Sequence, residues 1–171
     1  QLAPSVAPGR LIVRRQVMHW FADVQPASNE PVFIWHWGAG DNDVFYGFPG
    51  RDGAIKMAAE SLSGSDDPDQ VDRDVKPTES ADFFARHMRH RIAGVEPRCV
   101  RSATCLYTVA PTSNFVVDTL PDHPNAIAVS ACSGHGFKHS AAIGEAVAEW
   151  IQNGERPGIL GPFARSKLPV D

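Results

Sequence analysis

An eight-residue stretch, residues 133–140, carries the residue types that most directly suggest chemistry. It reads Ser-Gly-His-Gly-Phe-Lys-His-Ser. Its two glycines allow the backbone to approach a ligand closely, while His135 and Lys138 add one titratable and one cationic side chain. Such a stretch suits an anion or an electron-rich ring. Many turns carry two glycines for structural reasons alone, so this motif leaves a cofactor site and a simple bend equally open.

Four other side chains are candidates for catalysis, although each also has an ordinary structural explanation. Cys105 lies in a predicted strand, where cysteine is usually a small core residue. Lys56 could simply extend its stem over a sheet edge, and Tyr46 and Tyr107 suit any sheet. Taken one at a time, none of them predicts a function.

The sequence gives no support for a metal site. His87 and His90 share a predicted helix, but Arg86, Arg89 and Arg91 lie beside them and would repel a divalent cation. A solvated basic face is the better interpretation. The three cysteines are too few for a disulfide framework, and no Cys-x-x-Cys or His-Glu-x-x-His pattern occurs.

Strands joined by short turns make up the first part of the chain. Apolar and β-branched runs predict strands at residues 11–21, 32–37, 44–48 and 54–58, and the short turns between them favour an antiparallel meander. A helix is predicted from Pro77, with Phe84, Met88 and Ile92 on one face and an end near Gly94. The expected fold class is therefore α+β.

The second part of the chain is expected to place the glycine stretch between a strand and a helix. Strands are predicted at residues 100–109 and 115–118, a turn at 121–125, and a buried strand at 126–132. A helix at residues 141–151 would bury a stripe of Ile143, Val147, Trp150 and Ile151, with a flat groove at Gly144 and Ala148. Its positive end would add to backbone amides that converge at the glycines. Asn153-Gly154 ends the helix, and the proline-rich tail is expected to be extended.

The composition is that of a globular domain or of two small lobes. The chain has 171 residues and a net charge of -4, which gives no reason to expect nucleic acid or an anionic membrane as a partner. No apolar run approaches the ~18 to 20 residues needed to cross a bilayer, and no signal segment is evident. A cytoplasmic location is expected.

The order of the motifs is more informative than any one of them. It runs Tyr46-Gly47-Phe48-Pro49, Lys56, Cys105-Leu106-Tyr107-Thr108, Phe115-Val116-Val117-Asp118 and Ser133-Gly134-His135-Gly136-Phe137-Lys138. This ordered set resembles the carboxy-terminal half of the sarcosine oxidase and N-methyltryptophan oxidase family. These are flavin-dependent amine oxidases of the D-amino-acid-oxidase fold group. The resemblance runs from about Arg15 to the tail.

The resemblance implies FAD as the cofactor and assigns it several residues. Cys105 matches the cysteine whose sulfur is joined to the flavin ring methyl in a thioether. His135 matches a histidine beside the flavin, and Gly134, Gly136 and Phe137 complete the cofactor-binding loop. Lys138 matches the residue that receives the substrate carboxylate, a task that suits a point-charge ammonium.

The same resemblance implies an oxidation that ends at molecular oxygen. Tyr46 matches an aromatic wall of the substrate cavity, and Lys56 matches the lysine that helps reduced flavin react with oxygen. A fixed cation there would stabilise the charge that oxygen gains with its first electron. The parent protein would pass a hydride from a secondary or N-methyl amino acid to flavin, release hydrogen peroxide, and leave an imine that water hydrolyses.

Two departures from the family pattern limit what can be carried over. Residues 112–114 are Thr-Ser-Asn where Asp-Glu-His is common, and Glu60 stands where histidine is common. The substrate is therefore not transferable. The chain also lacks a Gly-x-Gly-x-x-Gly turn, so the amino-terminal Rossmann-like half is expected to be missing. A fragment of about half an oxidase should hold FAD poorly and turn over little alone.

The expected division is a substrate-binding lobe at residues 1–110 and the carboxy-terminal part of the FAD-binding lobe at 111–171. Three alternatives stay open at this point. They are a related FAD-dependent dehydrogenase, an oxidase for glycated amino acids, and a non-catalytic binding module.

Overall fold

The computed structural model describes residues 11–23, 31–40, 42–60, 64–65 and 67–169 of the chain. These residues fall into two compact units. We call residues 15–106 the sheet unit, and residues 11–14 together with 107–169 the hairpin unit. Strands β1 (Ile12–Asp23) and β6 (Val95–Val109) contribute residues to both. The division of roles between residues 1–110 and 111–171 stays a prediction.

The sheet unit is built on one six-stranded sheet that follows the predicted meander only in part. Strands β2 (Phe33–His36), β3 (Val44–Arg51), β4 (Ala54–Ala58) and the short β5 (Gly64–Ser65) join β1 in the order β2-β3-β4-β1-β5, and β6 also pairs with β1. The β2–β3, β3–β4 and β4–β1 pairs are antiparallel. The predicted antiparallel meander is confirmed for β2, β3 and β4, but β1 pairs with β4 and not with β2 as a four-strand meander requires. Strand β4 therefore lies inside the sheet between β3 and β1.

Strand alternation gives this sheet one buried face. Phe21, Phe45, Ile55 and Met57 are at most 2% exposed and form the core. Side chains at neighbouring positions of a strand point to opposite sides, so Lys56, between Ile55 and Met57, points away from this core. We call the side that carries Lys56 the open face.

The buried face of the sheet packs against helix α1 (Pro77–Phe83) and the π-helical turn Phe84–Met88. The prediction of a helix that ends near Gly94 is wrong. The Arg89 N–H donates to the carbonyl of Phe84, five residues back, and His90 adopts a φ of 65°, so the helix ends at Met88. Ile92 lies beyond the helix, yet it still packs against the core.

Two histidines are buried in this core. His19 is 3% exposed and its Nδ1 lies 3.0 Å from the Ser80 hydroxyl oxygen; His87 is 6% exposed. The Phe83 ring contacts both imidazoles, with centroid distances of 4.6 and 4.9 Å. Burial lowers the pKa of each histidine from 6.5 to about 4. The prediction that His87 belongs to a solvated basic face is therefore wrong, whereas His90 is exposed.

The hairpin unit contains strands β7 (Val116–Leu120) and β8 (His123–Ser130), which pair antiparallel, and helix α2 (Ser140–Asn153). The predicted turn at residues 121–125 is shorter than expected, because β8 already begins at His123. The prediction of a buried strand at 126–132 is also wrong. Among the described strands β8 pairs with β7 alone, and Val129 is 47% exposed.

Helix α2 begins and ends close to the predicted positions. Gly154 ends it in a left-handed conformation with a φ of 72°, as the Asn-Gly pair predicts. Ile143 is buried, but Ile151 is 68% exposed, so the predicted apolar stripe is only partly correct. Gly144 and Ala148 are exposed, and a Cβ on Gly144 would meet no described atom within 4 Å, so the close packing predicted at this groove is not seen at Gly144.

The tail folds back on the hairpin unit and is not extended as predicted. It forms 3-10 helical segments at Gly158–Phe163 and Arg165–Lys167, and Leu160 is 1% exposed in a core shared with β7 and α2. Asp118 on β7 holds this tail: its carboxylate accepts hydrogen bonds from Arg156 Nη2 and from the Arg165 backbone N–H. None of the described helices combines the length and the hydropathy needed to span a bilayer.

Candidate functional site

The open face of the sheet unit brings together two of the predicted site residues. In the register of the sheet, Tyr46 lies opposite Ala58, Phe48 opposite Lys56, and Lys56 opposite Trp20. Cross-strand partners point to the same side, and so do residues two apart on a strand. Tyr46 and Lys56 therefore share the open face with Phe48 and Trp20. The Tyr46 and Phe48 rings meet edge to face with their centroids 6.4 Å apart.

Lys56 is surrounded by aromatic rings and a second cation. Its Nζ lies 5.0 Å from the centre of the Phe48 ring and 5.5 Å from that of Trp20. The guanidinium carbon of Arg101, on β6, lies 4.4 Å from the Trp20 ring. Because β4 is an interior strand, the explanation of Lys56 as a sheet-edge side chain is wrong.

Cys105 is an exposed free thiol on β6. It stands four residues after Arg101, so strand alternation places both on the same side of β6. Its ordinary explanation as a small core residue is wrong. Cys99 and Cys132 are free as well, and Cys99 donates its thiol hydrogen to the carbonyl of Arg101.

The glycine loop, residues 133–140, is fastened to the turn that follows β6. Ser133 is 7% exposed; its hydroxyl donates to the carbonyl of Asn114 at 2.7 Å and accepts the Ala110 N–H at 3.3 Å. His135 Nε2 lies 2.9 Å from the carbonyl of Ser113, so this ring nitrogen donates. Both contacts fix the loop within the hairpin unit.

The two glycines of the loop each have a local structural reason. A Cβ on Gly136 would lie 1.7 Å from the carbonyl oxygen of Ala131, closer than any atom can approach. Gly134 adopts a φ of 76°, and a Cβ there would meet the Tyr107 ring at 3.2 Å. The sequence left a simple bend open as an alternative to a cofactor site, and both glycines are explained by that bend. This explanation does not depend on whether the loop binds a ligand.

The loop presents its exposed groups on the side that leads into α2. Phe137 is 94% exposed, and Lys138 is exposed while its ammonium donates to the carbonyl of His135 at 2.9 Å. A 3-10 segment, Phe137–His139, precedes α2, and the N–H groups of His135 and His139 are bonded to Cys132 and Gly136 carbonyls. Fewer backbone amides are therefore free to bind a ligand at this loop than predicted, since those of His135 and His139 are already hydrogen-bonded.

Sequence reasoning assigned no role to three side chains of this site: Trp20, Phe48 and Arg101. The feature that reveals them is the register of the sheet, which places Trp20 and Phe48 directly opposite Lys56. Among the described residues, no group of three or more metal-ligating side chains is close enough to hold an ion. The site is therefore an aromatic and cationic surface in the sheet unit and a basic glycine loop in the hairpin unit.

Comparison with known proteins identifies the family. The model of the family described as FAD dependent oxidoreductase (DAO) matches residues 2–150. The chain belongs to this family. The sequence-based resemblance is therefore confirmed at the level of the family, whose model is that of FAD-dependent oxidoreductases.

The relatives of this family member include monomeric sarcosine oxidase from Streptomyces avermitilis. That protein is 34% identical over 166 residues, which cover 91% of this chain and 42% of the relative. N-methyl-L-tryptophan oxidase from Escherichia coli O139:H28 is 30% identical over 132 residues, with 75% and 34% covered. The chain thus spans about two fifths of the length of the curated relatives it matches.

Solved structures show the same fold. NikD, an amino acid oxidase essential for nikkomycin biosynthesis, superposes in its open form with a TM-score of 0.71 at 17% identity. The match covers 94% of this chain and 44% of NikD. The α+β arrangement of a sheet with few helices is therefore that of the oxidases of this fold group.

The chemistry of the open face fits a flavin ring system. The Cys105 thiol is exposed and engaged in no disulfide, so it is accessible to a ring methyl. Lys56 and Arg101 supply positive charge on the same face, which suits a ring that becomes electron-rich on reduction. The residues present therefore fit the cofactor that the family requires.

Proposed function

We propose that the protein carrying this chain oxidises a secondary or N-methyl amino acid with FAD and molecular oxygen. The observation that carries the proposal is the open face, where Tyr46 and Lys56 lie together and Cys105 is exposed on the strand that also supplies Arg101. Two relatives named for sarcosine and N-methyl-L-tryptophan support the substrate class. Glu60, two residues beyond β4, is a carboxylate where histidine is common in the family, so the individual substrate is not carried over from these relatives.

The proposed reaction balances in electrons and in protons. The amine loses two electrons and two protons and becomes an imine, oxygen gains the same number and becomes hydrogen peroxide, and water hydrolyses the imine. The chemistry that FAD supplies when bound is the transfer of these electrons from the amine carbon to oxygen. This chain's residues would bind the substrate, hold the cofactor and place the charge that oxygen needs.

Each site residue has one task in this proposal. Tyr46 forms a wall of the substrate cavity, and Lys56 places a fixed positive charge for oxygen. Lys138 receives the substrate carboxylate, for which its ammonium would leave the carbonyl of His135. His135 lies beside the flavin, oriented by its hydrogen bond to Ser113.

The chain is proposed to work with a partner segment of the same protein. Its share of the curated relatives, 42% in the sarcosine oxidase, supports a longer parent whose other part binds the dinucleotide. Residues 1–110 would then supply most of the substrate lobe, and residues 111–171 the carboxy-terminal part of the FAD lobe. The chain alone is expected to bind FAD weakly, so activity is to be measured on the full-length protein.

Replacement of Cys105 tests the covalent attachment. We expect full-length protein to keep its flavin after acid precipitation, and the Cys105→Ser variant to release all of it, because serine cannot form the thioether. The absorbance of the supernatant measures the released flavin. Cys99→Ser, on the same strand, is the matched control and should keep the flavin bound. Covalent flavin in Cys105→Ser would show that another residue is the anchor.

Replacement of Lys56 tests the oxidase function itself. We expect Lys56→Met to slow the reaction with oxygen at least about tenfold, since a neutral side chain of similar length removes the fixed charge. Oxidation of the amine under anaerobic conditions should change far less. Stopped-flow absorbance at the flavin band separates the two steps, and Lys76→Met is the control for loss of a surface lysine.

Peroxide release distinguishes the proposed function from its rivals. A panel of N-methyl and glycated amino acids should give hydrogen peroxide with the N-methyl compounds. If only the glycated compounds gave peroxide, the substrate class would be glycated amino acids. Oxidation of the amine without peroxide would indicate a dehydrogenase. If the full-length protein bound no flavin, a non-catalytic binding module would be the remaining interpretation.

A further inference from the structure

The ammonium of Lys56 is held by aromatic rings in place of a counterion. Its Nζ lies 5.0 Å from the Phe48 ring centre and 5.5 Å from that of Trp20. Among the described carboxylates, none forms an ion pair with it. A carboxylate would cancel much of the field that a nearby reactant feels, whereas a ring face attracts a cation without neutralising it. No ion pair with a described carboxylate therefore offsets the charge of Lys56 on the open face.

Arg101 contacts the same indole from another strand. Its guanidinium carbon lies 4.4 Å from the Trp20 ring centre, close enough for the planar group to stack on the ring. Trp20 is half-buried, with Lys56 directly opposite on β4 and with β6, which carries Arg101, paired to its strand. A ring held on more than one side has few rotamers available. The indole is thus a rigid support for the lysine.

We propose that Trp20 and Arg101 are positioning residues for Lys56. The indole, together with Phe48, holds the ammonium, and the guanidinium holds the indole. The proposal rests on the proposed function, in which oxygen takes two electrons and two protons and becomes hydrogen peroxide. A cation already fixed in place stabilises the developing charge more than a mobile one, because nothing has to be reordered when the charge appears.

A first experiment tests the arrangement in the chain as it exists, with no cofactor. The four lysines, Lys56, Lys76, Lys138 and Lys167, are reductively methylated with a ¹³C label and observed by NMR. Ring currents from the aromatic faces should move the Lys56 methyl signal upfield of the others. Trp20→Leu should abolish most of this displacement and Trp20→Phe should keep part of it. A Lys56 signal that coincides with the other three would overturn the proposal.

A second experiment measures the two half-reactions of the flavin-loaded full-length protein. Trp20→Leu is expected to lower the second-order rate constant with oxygen about tenfold, and Arg101→Gln about threefold. Amine oxidation and its KM should stay within about a factor of two. Trp20→Phe, which keeps a ring, should recover most of the loss. Arg98→Gln, a neighbouring exposed arginine of β6, is the matched control and should change neither rate.

The variants separate failure of this proposal from failure of the proposed function. If Lys56→Met slows the oxygen step and Trp20→Leu does not, positioning by Trp20 is wrong and the oxidase function stands. If Lys56→Met leaves the oxygen step unchanged, the oxidase role of Lys56 is wrong and the positioning role falls with it. Equal slowing of both half-reactions by Trp20→Leu would reveal a structural role only, and would also overturn the proposal.

Discussion

Lowering the pH from 7 to 4 is expected to reduce the free energy of unfolding of the sheet unit by about 2 to 3 kcal/mol for each of its two buried histidines. Burial lowers the pKa of His19 and His87 from 6.5 to about 4. The unfolded chain therefore takes up these protons near pH 6.5, and the folded unit only near pH 4. The stability is fully present above pH 6.5 and is lost as the pH falls through this window.

The neighbours of the two imidazoles modify this effect without reversing it. Burial is the largest cause of the lowered pKa in both cases. Glu79 opposes it at His19, whereas Arg86 and Arg91 reinforce it at His87. A loss of this size approaches the whole stability of an ordinary domain, about 5 to 15 kcal/mol. The sheet unit should therefore be the part of the chain most sensitive to acid.

Urea unfolding at pH 7, 6 and 5, followed by tryptophan fluorescence, measures this dependence. Trp20, Trp35 and Trp37 all lie in the sheet unit. His87→Leu should roughly halve the pH dependence at little cost at pH 7, because its Nδ1 is buried and has no hydrogen-bond partner among the described residues.

The control for this experiment is a histidine on the same sheet that is not buried. His36, on β2, is exposed, so His36→Leu should leave the pH dependence unchanged. An equal fall in stability with pH in His87→Leu and in the unchanged chain would show that His87 contributes nothing to it.

Local patterns in the sequence predict the strands of the sheet unit but not how its helix ends. Ile55 and Met57, which alternate with Lys56 along β4, lie in the core as the period of a strand requires. The π-helical turn is not predictable in this way, because the apolar spacing of Phe84 and Met88 fits an α-helix equally well. His87 in this turn is buried against Phe45 of the sheet, a tertiary contact that the apolar spacing does not reveal.

The hairpin unit shows the same limit at its tail. Three prolines correctly exclude an α-helix there, but an extended chain and a pair of 3-10 segments are equally compatible with them. The structure is decided by Asp118, which binds Arg156 and the backbone of Arg165, both distant in sequence. Side chains that meet across such separations leave no periodic signal in a single sequence.

Some residues of the candidate site are predictable from the sequence, and others are not. Motif order predicts roles for Cys105, Lys56 and the glycine loop, since each is a local pattern at a recognisable separation, and these roles stay predictions. The surroundings of Lys56 depend on which residues of β1 and β6 meet β4, and that register follows from packing of the other face of the sheet. Trp20 and Arg101 therefore become visible only in the folded chain.

The second large effect on stability is expected from a substitution at Gly136, in the glycine loop. Gly136→Ala is expected to destabilise the hairpin unit by at least about 3 kcal/mol, since an overlap with fixed backbone cannot be relieved by a side-chain rotation. The added Cβ would lie 1.7 Å from the Ala131 carbonyl oxygen. This cost arises within the chain and requires no cofactor. Hydrogen exchange at the His135 and His139 amides, which are bonded across the loop, measures it directly.

A graded series of glycine substitutions separates this overlap from the general effect of adding a methyl group. Gly134→Ala, with its positive φ, should cost about 1 to 2 kcal/mol. Gly144→Ala meets no atom within 4 Å and lies inside α2, so it should stabilise the unit by about 0.5 to 1 kcal/mol. The expected order of destabilisation is thus Gly136, then Gly134, then Gly144. If the loop amides of Gly136→Ala exchanged no faster than those of Gly144→Ala, the overlap with Ala131 would not constrain the loop, and the structural explanation of Gly136 would be wrong.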